Sequence, residues 1–162
     1  MSKKGTRCGR MIAGLVCLSL WSLPISGCGS ARNQLKELSD ESLVLTRQAG
    51  NRALSPEGRL RIAQELFQHR QSYEPIIGQA TAAAEDQQSA RTLQRADADR
   101  AGAAMQAIAE EFLVNGETDK ARAIFYSMMT LFADEEYASL RKAAEGRLQE
   151  LDEKERRKKA LQ

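Results

Sequence analysis

Large apolar residues recur along this chain every three or four positions, separated by polar and charged ones. Leu35, Leu38, Leu45 and Ala49 follow that spacing, and the run stops at Gly50-Asn51, so a first helix is predicted over about 31–50. Ser55-Pro56-Glu57 then reads as a helix start. A side-chain oxygen is available for the free amides, proline stands at the first helical position, and an acid meets the positive end of the dipole. The second helix, from about 56, carries the stripe Leu60, Ile62, Ala63, Leu66 and Phe67, and Pro75 is expected to kink or stop it. Between 76 and 114 the pattern allows one long helix or two. Residues 78–104 are rich in Ala, Gln, Asp and Arg, with Leu93 as the one large apolar residue. That composition predicts close packing and little buried area, as an exposed, thinly packed helix or a spacer. Further on, Met105, Ile108, Ala109 and Phe112 share one face. Asn115-Gly116 breaks the run, and Ala121, Ile124, Phe125 and Met128 form the face of the next helix. Two such helices joined by a short glycine turn make an antiparallel hairpin. Asp134 is placed to cap a last helix with the stripe Tyr137, Leu140, Ala144, Leu148 and Leu151.

The residue types agree with this pattern. β-branched and aromatic residues are sparse, and Ala, Leu, Glu, Gln, Arg and Lys dominate, so the fold class expected is all-α, a small helical bundle or a short array of helical hairpins. One stretch departs from the amphipathic rhythm. The chain opens with MSKKGTRCGR, continues as the apolar MIAGLVCLSLWSL, and reaches small residues before a cysteine in PISGC. A positive start, an apolar run and small residues are the order of a secretory signal, and the run falls short of the roughly 20 residues that span a bilayer. Removal of residues 1–27 leaves roughly 135 residues, enough for one modest domain.

Ile25-Ser26-Gly27-Cys28 resembles the bacterial lipobox, an aliphatic residue and two small ones before the cysteine. The resemblance implies that signal-peptidase recognition involves Ile25, Ser26 and Gly27, that cleavage follows Gly27, and that a diacylglycerol is attached to the sulfur of Cys28. The amine exposed there is often acylated as well. Two or three acyl chains anchor stably where one gives marginal binding. The membrane is thus the first expected partner, through acyl chains on Cys28. Gly29 follows the cysteine where many inner-membrane lipoproteins have Asp, which favours a periplasm-facing location on the outer membrane. The competing readings are an ordinary cysteine after a plain signal peptide, or a buried helix over 11–23. Residues 28–34 would form the lipidated tether, 35–153 the helical domain and 154–162 a basic tail.

The hairpin at about 102–135 resembles a tetratricopeptide repeat. Ile108, Ala109, Phe112, Gly116, Ala121 and Phe125 fall at that family's large, small, aromatic, turn, small and aromatic positions. Met105 stands where Trp is common, and Ala133 where Pro often ends the unit. Arrays of this kind need about three layers and a capping helix. The resemblance therefore implies degenerate upstream layers, a cap over about 135–153, and a protein partner in the cell envelope.

Charge and chemistry narrow the function further. The formal charge of +2 includes Lys3, Lys4, Arg7 and Arg10, and without them 20 basic residues face 22 acidic ones. That balance offers no general footprint for nucleic acid. Of the cysteines at 8, 17 and 28 only Cys28 would remain, and with His69 the single histidine, neither a zinc cluster nor a Cys-x-x-Cys pair can form within one chain. No phosphate loop, nucleophile elbow or H-E-x-x-H helix occurs, so no catalytic residue, metal site or cofactor is expected. His69, in LFQHRQ, reads as a solvated residue on a polar helix face. The pairs Glu110-Glu111 and Glu135-Glu136 also read as solvated, because adjacent acids on a helix point apart. Lys154, Arg156, Arg157, Lys158 and Lys159 either complement the dipole of a frayed helix end or touch anionic lipid or cell-wall polymer. Three functions remain in order of preference: an envelope interaction adaptor, a self-associating helical spacer built from the Ala-rich section and the terminal stripe, and an envelope enzyme.

Overall fold

The computed structural model describes residues 31–161, and they form an all-α, bundle-like fold without a strand. The lipobox residues Ile25 to Cys28 and the apolar run before them lie outside the described residues. Helix α1 spans Ala31–Ala49 and α2 spans Pro56–His69; a 3-10 turn over Arg70–Tyr73 leads into the single-turn α3, Glu74–Ile77. Then come α4, Ala84–Val114, α5, Thr118–Leu131, a 3-10 turn over Glu135–Tyr137, and α6, Ala138–Ala160. The start of α2 is built as the residues predict. Ser55 is extended, its hydroxyl accepts from the Gly58 amide at 3.1 Å, and Pro56 opens the helix. Pro75 does not kink α2; it lies in the first turn of α3, after the path has tightened to 3-10 geometry. Asp134 stands before the final 3-10 turn in extended conformation, yet its side chain caps no amide.

The open question over 76–114 resolves into one helix of 31 residues, α4, and it is the centre of the bundle. The expectation of an exposed, thinly packed helix or a spacer is therefore corrected. Ala90, Ala98 and Ala101 are wholly buried, because methyl-sized side chains let neighbouring helices come close enough to cover them. One stripe of α4, Ala90, Gln94, Asp97, Ala101, Ile108 and Phe112, is buried, and a second set, Ala98, Gly102 and Ala109, widens the buried face, so that α1, α2, α5 and α6 all pack on this helix. At Gly102 the approach is so close that a methyl group would lie 2.9 Å from the Leu140 side chain of α6. Phe67, Phe132 and Tyr137 meet edge to face, with ring centroids 4.9 to 6.1 Å apart, and join α2 to the α5–α6 corner. The Arg70 guanidinium lies 4.4 Å above the Phe67 ring. Leu93, Leu35, Tyr73, Ile76 and Ala90 make a smaller second core at the other end of α4.

The turn between α4 and α5 shows how the hairpin closes. Gly116 has φ +79°, its amide donates to the Leu113 carbonyl at 3.1 Å, and the Glu117 amide donates to the Phe112 carbonyl at 2.8 Å. These are the paired bonds of a Schellman motif, which satisfies the last carbonyls of a helix and requires a left-handed residue. α6 runs past the expected end of the cap and carries the basic residues Lys154 to Lys159 in its last turns, up to Ala160.

The same substitution should have opposite effects at two glycines. Gly116→Ala, with open space around the added methyl, should cost about 1 kcal/mol through its backbone alone. Gly146→Ala, inside α6 and equally unobstructed, should stabilise by up to about 1 kcal/mol. Urea unfolding of both variants checks the signs, and a neutral Gly116→Ala would show that the turn conformation costs nothing to impose on an alanine.

Candidate functional site

A polar node lies where α1, α2 and α4 converge. Ser42 and Asp97 are wholly buried, Ser42 on an otherwise apolar stripe of α1 and Asp97 on a stripe of α4 whose other polar member is Gln94. Asp97 Oδ1 accepts hydrogen bonds from the Ser42 hydroxyl and from Arg100 Nη1, the latter at 3.2 Å, while Oδ2 meets His69 Nδ1 at 2.9 Å. Arg100 also donates to Ser42 Oγ at 3.0 Å. The other ring nitrogen of His69, Nε2, faces Glu41 at 3.3 Å. The expectation of a solvated His69 is corrected: its side chain is 9% exposed, and both nitrogens are directed at carboxylates. A buried carboxylate is costly unless charge and hydrogen bonds compensate it, and here Ser42, His69 and Arg100 share that compensation.

Ser, His and Asp side chains together invite comparison with a nucleophilic triad, but the connections differ. The serine hydroxyl donates to the aspartate and is buried, whereas a nucleophile must pass its proton to the imidazole and face substrate. This arrangement holds three helices in one register. Tyr73 packs edge-on to the His69 ring at 5.6 Å, with its hydroxyl buried and without a hydrogen-bond partner. Burial first, and then the negative charge of Asp97, push the Tyr73 phenol well above its ordinary range.

Outside this node, between α1 and α2, runs an open groove of about 640 Å³. Val44 and Leu45 supply apolar surface, and Asp40, Glu41 and Glu65 stand around it with His69. Val44 is 49% exposed. A smaller groove of about 300 Å³ lies between α2, the end of α4 and α5, with Leu60, Phe112 and Ile124 in its lining. Lys120 lies 4.9 Å over the Phe112 ring and pairs with Glu57 at 3.0 Å, so this second groove is partly closed by the protein's own charges.

The residues of the repeat-like pattern come together in the hairpin. Ile108, Ala109 and Phe112 on α4, and Ala121 and Phe125 on α5, are buried in the main core, with Gly116 in the turn between them. They are packing positions, and the helix that carries the first three begins at Ala84, well before 102. Glu110 and Glu111 do point apart, but they are not merely solvated: Glu110 receives Arg147 of α6 through two nitrogens, and Glu111 receives Arg59 of α2 at 2.5 Å. Glu135 fits the expectation, at 92% side-chain exposure with a long contact of 3.6 Å to Arg141. Ser42 and Asp97 were missed by motif reasoning. The signal available was a polar residue at a stripe position, Ser42 between Leu38 and Leu45, and Asp97 at helical spacing from Ala90, Ala101 and Met105. Among the described residues no group of three or more His, Cys, Asp or Glu side chains is arranged to hold a metal ion. Comparison of the chain with protein-family profiles, curated proteins and solved structures gave no match.

Asp97→Ala should destabilise the fold by about 3 kcal/mol, since removing one member of a buried ionic cluster strands the others. Asp97→Asn, which keeps the shape, should cost less, and equal costs in denaturant unfolding would show that the charge is irrelevant. Tyr73 gives a pH signature. Its proton is held more tightly in the folded state than in the unfolded one, so its contribution is complete below pH about 10 and is lost as pH rises beyond that. Tyr73→Phe should therefore flatten the alkaline decline in stability, which equilibrium unfolding at a series of pH values measures.

Proposed function

We propose that this chain is an acyl-anchored lipoprotein of the bacterial envelope whose bundle docks a protein partner. The observation that carries the docking half is the α1–α2 groove, open, apolar at Val44 and Leu45, and bordered by Asp40, Glu41 and Glu65. Such a surface suits an amphipathic segment with basic residues beside its apolar face, because apolar contact supplies affinity and charge complementarity orients the encounter. The polar node beneath keeps the two helices at fixed separation, so the groove is formed before the partner arrives and little ordering cost attends binding.

The anchoring half rests on Ile25-Ser26-Gly27-Cys28 and the apolar run before it. No helix among the described residues is long and apolar enough to cross a membrane. Acyl chains on Cys28 would attach the bundle through a tether that meets α1 at Ala31. With Gly29 after the cysteine, the outer membrane facing the periplasm is the location we favour. The repeat-like hairpin supports the same reading, as a packed support for the α1–α2 layer. For the alternative of a self-associating spacer, Ala90, Ala98 and Ala101 are covered within the chain itself, while Ala103 and Ala107 stay exposed.

The test is crosslinking in intact cells and affinity capture of a C-terminally tagged chain, beside Cys28→Ala, Val44→Lys and an Asp40→Lys/Glu65→Lys double variant. The expected result is an envelope protein recovered with the parent chain, diminished by Cys28→Ala and lost with the groove variants, whose unfolding midpoints stay within about 0.5 kcal/mol of the parent because the sites are exposed. Unchanged recovery with both groove variants would remove the groove from the mechanism. Recovery of this chain alone would favour the spacer.

A further inference from the structure

A third concavity, of about 370 Å³, is formed by the C-terminal end of α1, the loop into α2 with the start of that helix, and the second half of α4. Three arginines line it, Arg52 from the loop, Arg59 from α2 and Arg100 from α4, against the single carboxylate of Glu111. Arg59 is buried and committed to Glu111 at 2.5 Å. Arg100 uses Nη1 on Asp97 and Ser42, and about a third of its side chain remains exposed. Arg52 has no ion pair among the described residues. Even with the buried Asp97 behind Arg100 included, positive charges outnumber negative ones here. The remaining surface is short. Ala49, Ala103, Ala104 and Ala107 contribute methyl groups, and Glu111, the one long acidic side chain of the lining, is taken up by Arg59. Arg59 already meets Glu111 and Arg100 meets Asp97, which leaves Arg52 and the uncommitted edge of Arg100 as the donors of this lining, and the planar guanidinium matches both oxygens of a carboxylate or two of a phosphate.

We propose that this pocket binds an oxyanion, a phosphate or carboxylate carried on a small apolar group, with Arg52 and the free edge of Arg100 as its donors and the alanine methyls as its floor. The pocket lies on another face of α1 from the Val44 groove, and the proposal does not depend on that groove having an occupant. Arg59 acts as a positioning residue, held by Glu111 so that its charge adds to the field without making the contact.

The experiment is a titration of the full chain in zwitterionic detergent, followed by amide proton–nitrogen spectra, with three probes: inorganic phosphate, N-acetylalanine and N-acetylalanine amide. Saturable shifts at Gly50, Ala103, Ala104 and Ala107 are expected with at least one of the two anions, and the anion that saturates at lower concentration identifies the source chemistry. Arg52→Ala, at an exposed loop position, should weaken that binding about tenfold, as loss of a charge-assisted hydrogen bond does. Shifts that never saturate, that ignore Arg52→Ala, or that the neutral amide reproduces would overturn the proposal. Chemical shifts distant from the pocket in Arg52→Ala, compared with the parent chain, report directly whether the variant has kept its fold.

Discussion

The compensation of one buried negative charge organises the first half of this bundle. Asp97 sits on the central helix without solvent contact, and an isolated carboxylate in such a place would be expelled or protonated. It stays because α1 delivers Ser42, α2 delivers His69, and α4 itself returns Arg100 one turn later. Ser42 is short and the His69 ring rigid, so α1 and α2 must each sit at one height against α4. A purely apolar stripe would tolerate sliding by a turn, whereas this set of bonds is made at a single register. The node thus exchanges some stability for definition, the best-supported use of buried polar groups.

That register then determines what the surface offers. With α1 and α2 held to α4 from within, Val44 stays exposed beside the half-buried Leu45, and Asp40, Glu41 and Glu65 remain around them. On another side of α1, the same constraint places the alanines of α4 beside Arg52, Arg59 and Arg100. The second half of the molecule is held differently. Phe67, Phe132 and Tyr137 interlock at the α5–α6 corner, and Arg147 grips Glu110 across α4 and α6. Aromatic packing and exposed ion pairs define that half, without a wholly buried charge.

The small residues of α4 have two roles that composition alone could not separate. Ala90, Ala98, Ala101 and Gly102 face neighbours and let backbones approach, so a thinly apolar sequence carries more buried residues than any other helix among the described residues. Ala103 and Ala107, on the same helix, face outward and leave arginines uncovered. An alanine carries almost no preference for water or core, and its role is set by what lies opposite.

The sequence by itself determined the helical class, the start of α2 at Ser55-Pro56, the break at Gly116 and the faces of the α4–α5 hairpin. These follow from local chemistry: a cap, a proline φ, a left-handed glycine and an apolar period of about 3.6 residues act within a few positions of one another. It also carries, in Ile25 to Cys28, the case for a lipid anchor, which is a matter of recognition by processing enzymes and not of folding. The packing of the helices settles the rest: that α4 is central, that His69 is enclosed between two carboxylates, that Glu110 and Glu111 serve different neighbours, and where the three concavities lie. His69 and Asp97 are 28 residues apart, Ser42 and Asp97 are 55 apart, and no local period links them. A polar residue on an apolar stripe signals that a partner is needed, but its identity depends on which helix the packing of small side chains brings alongside.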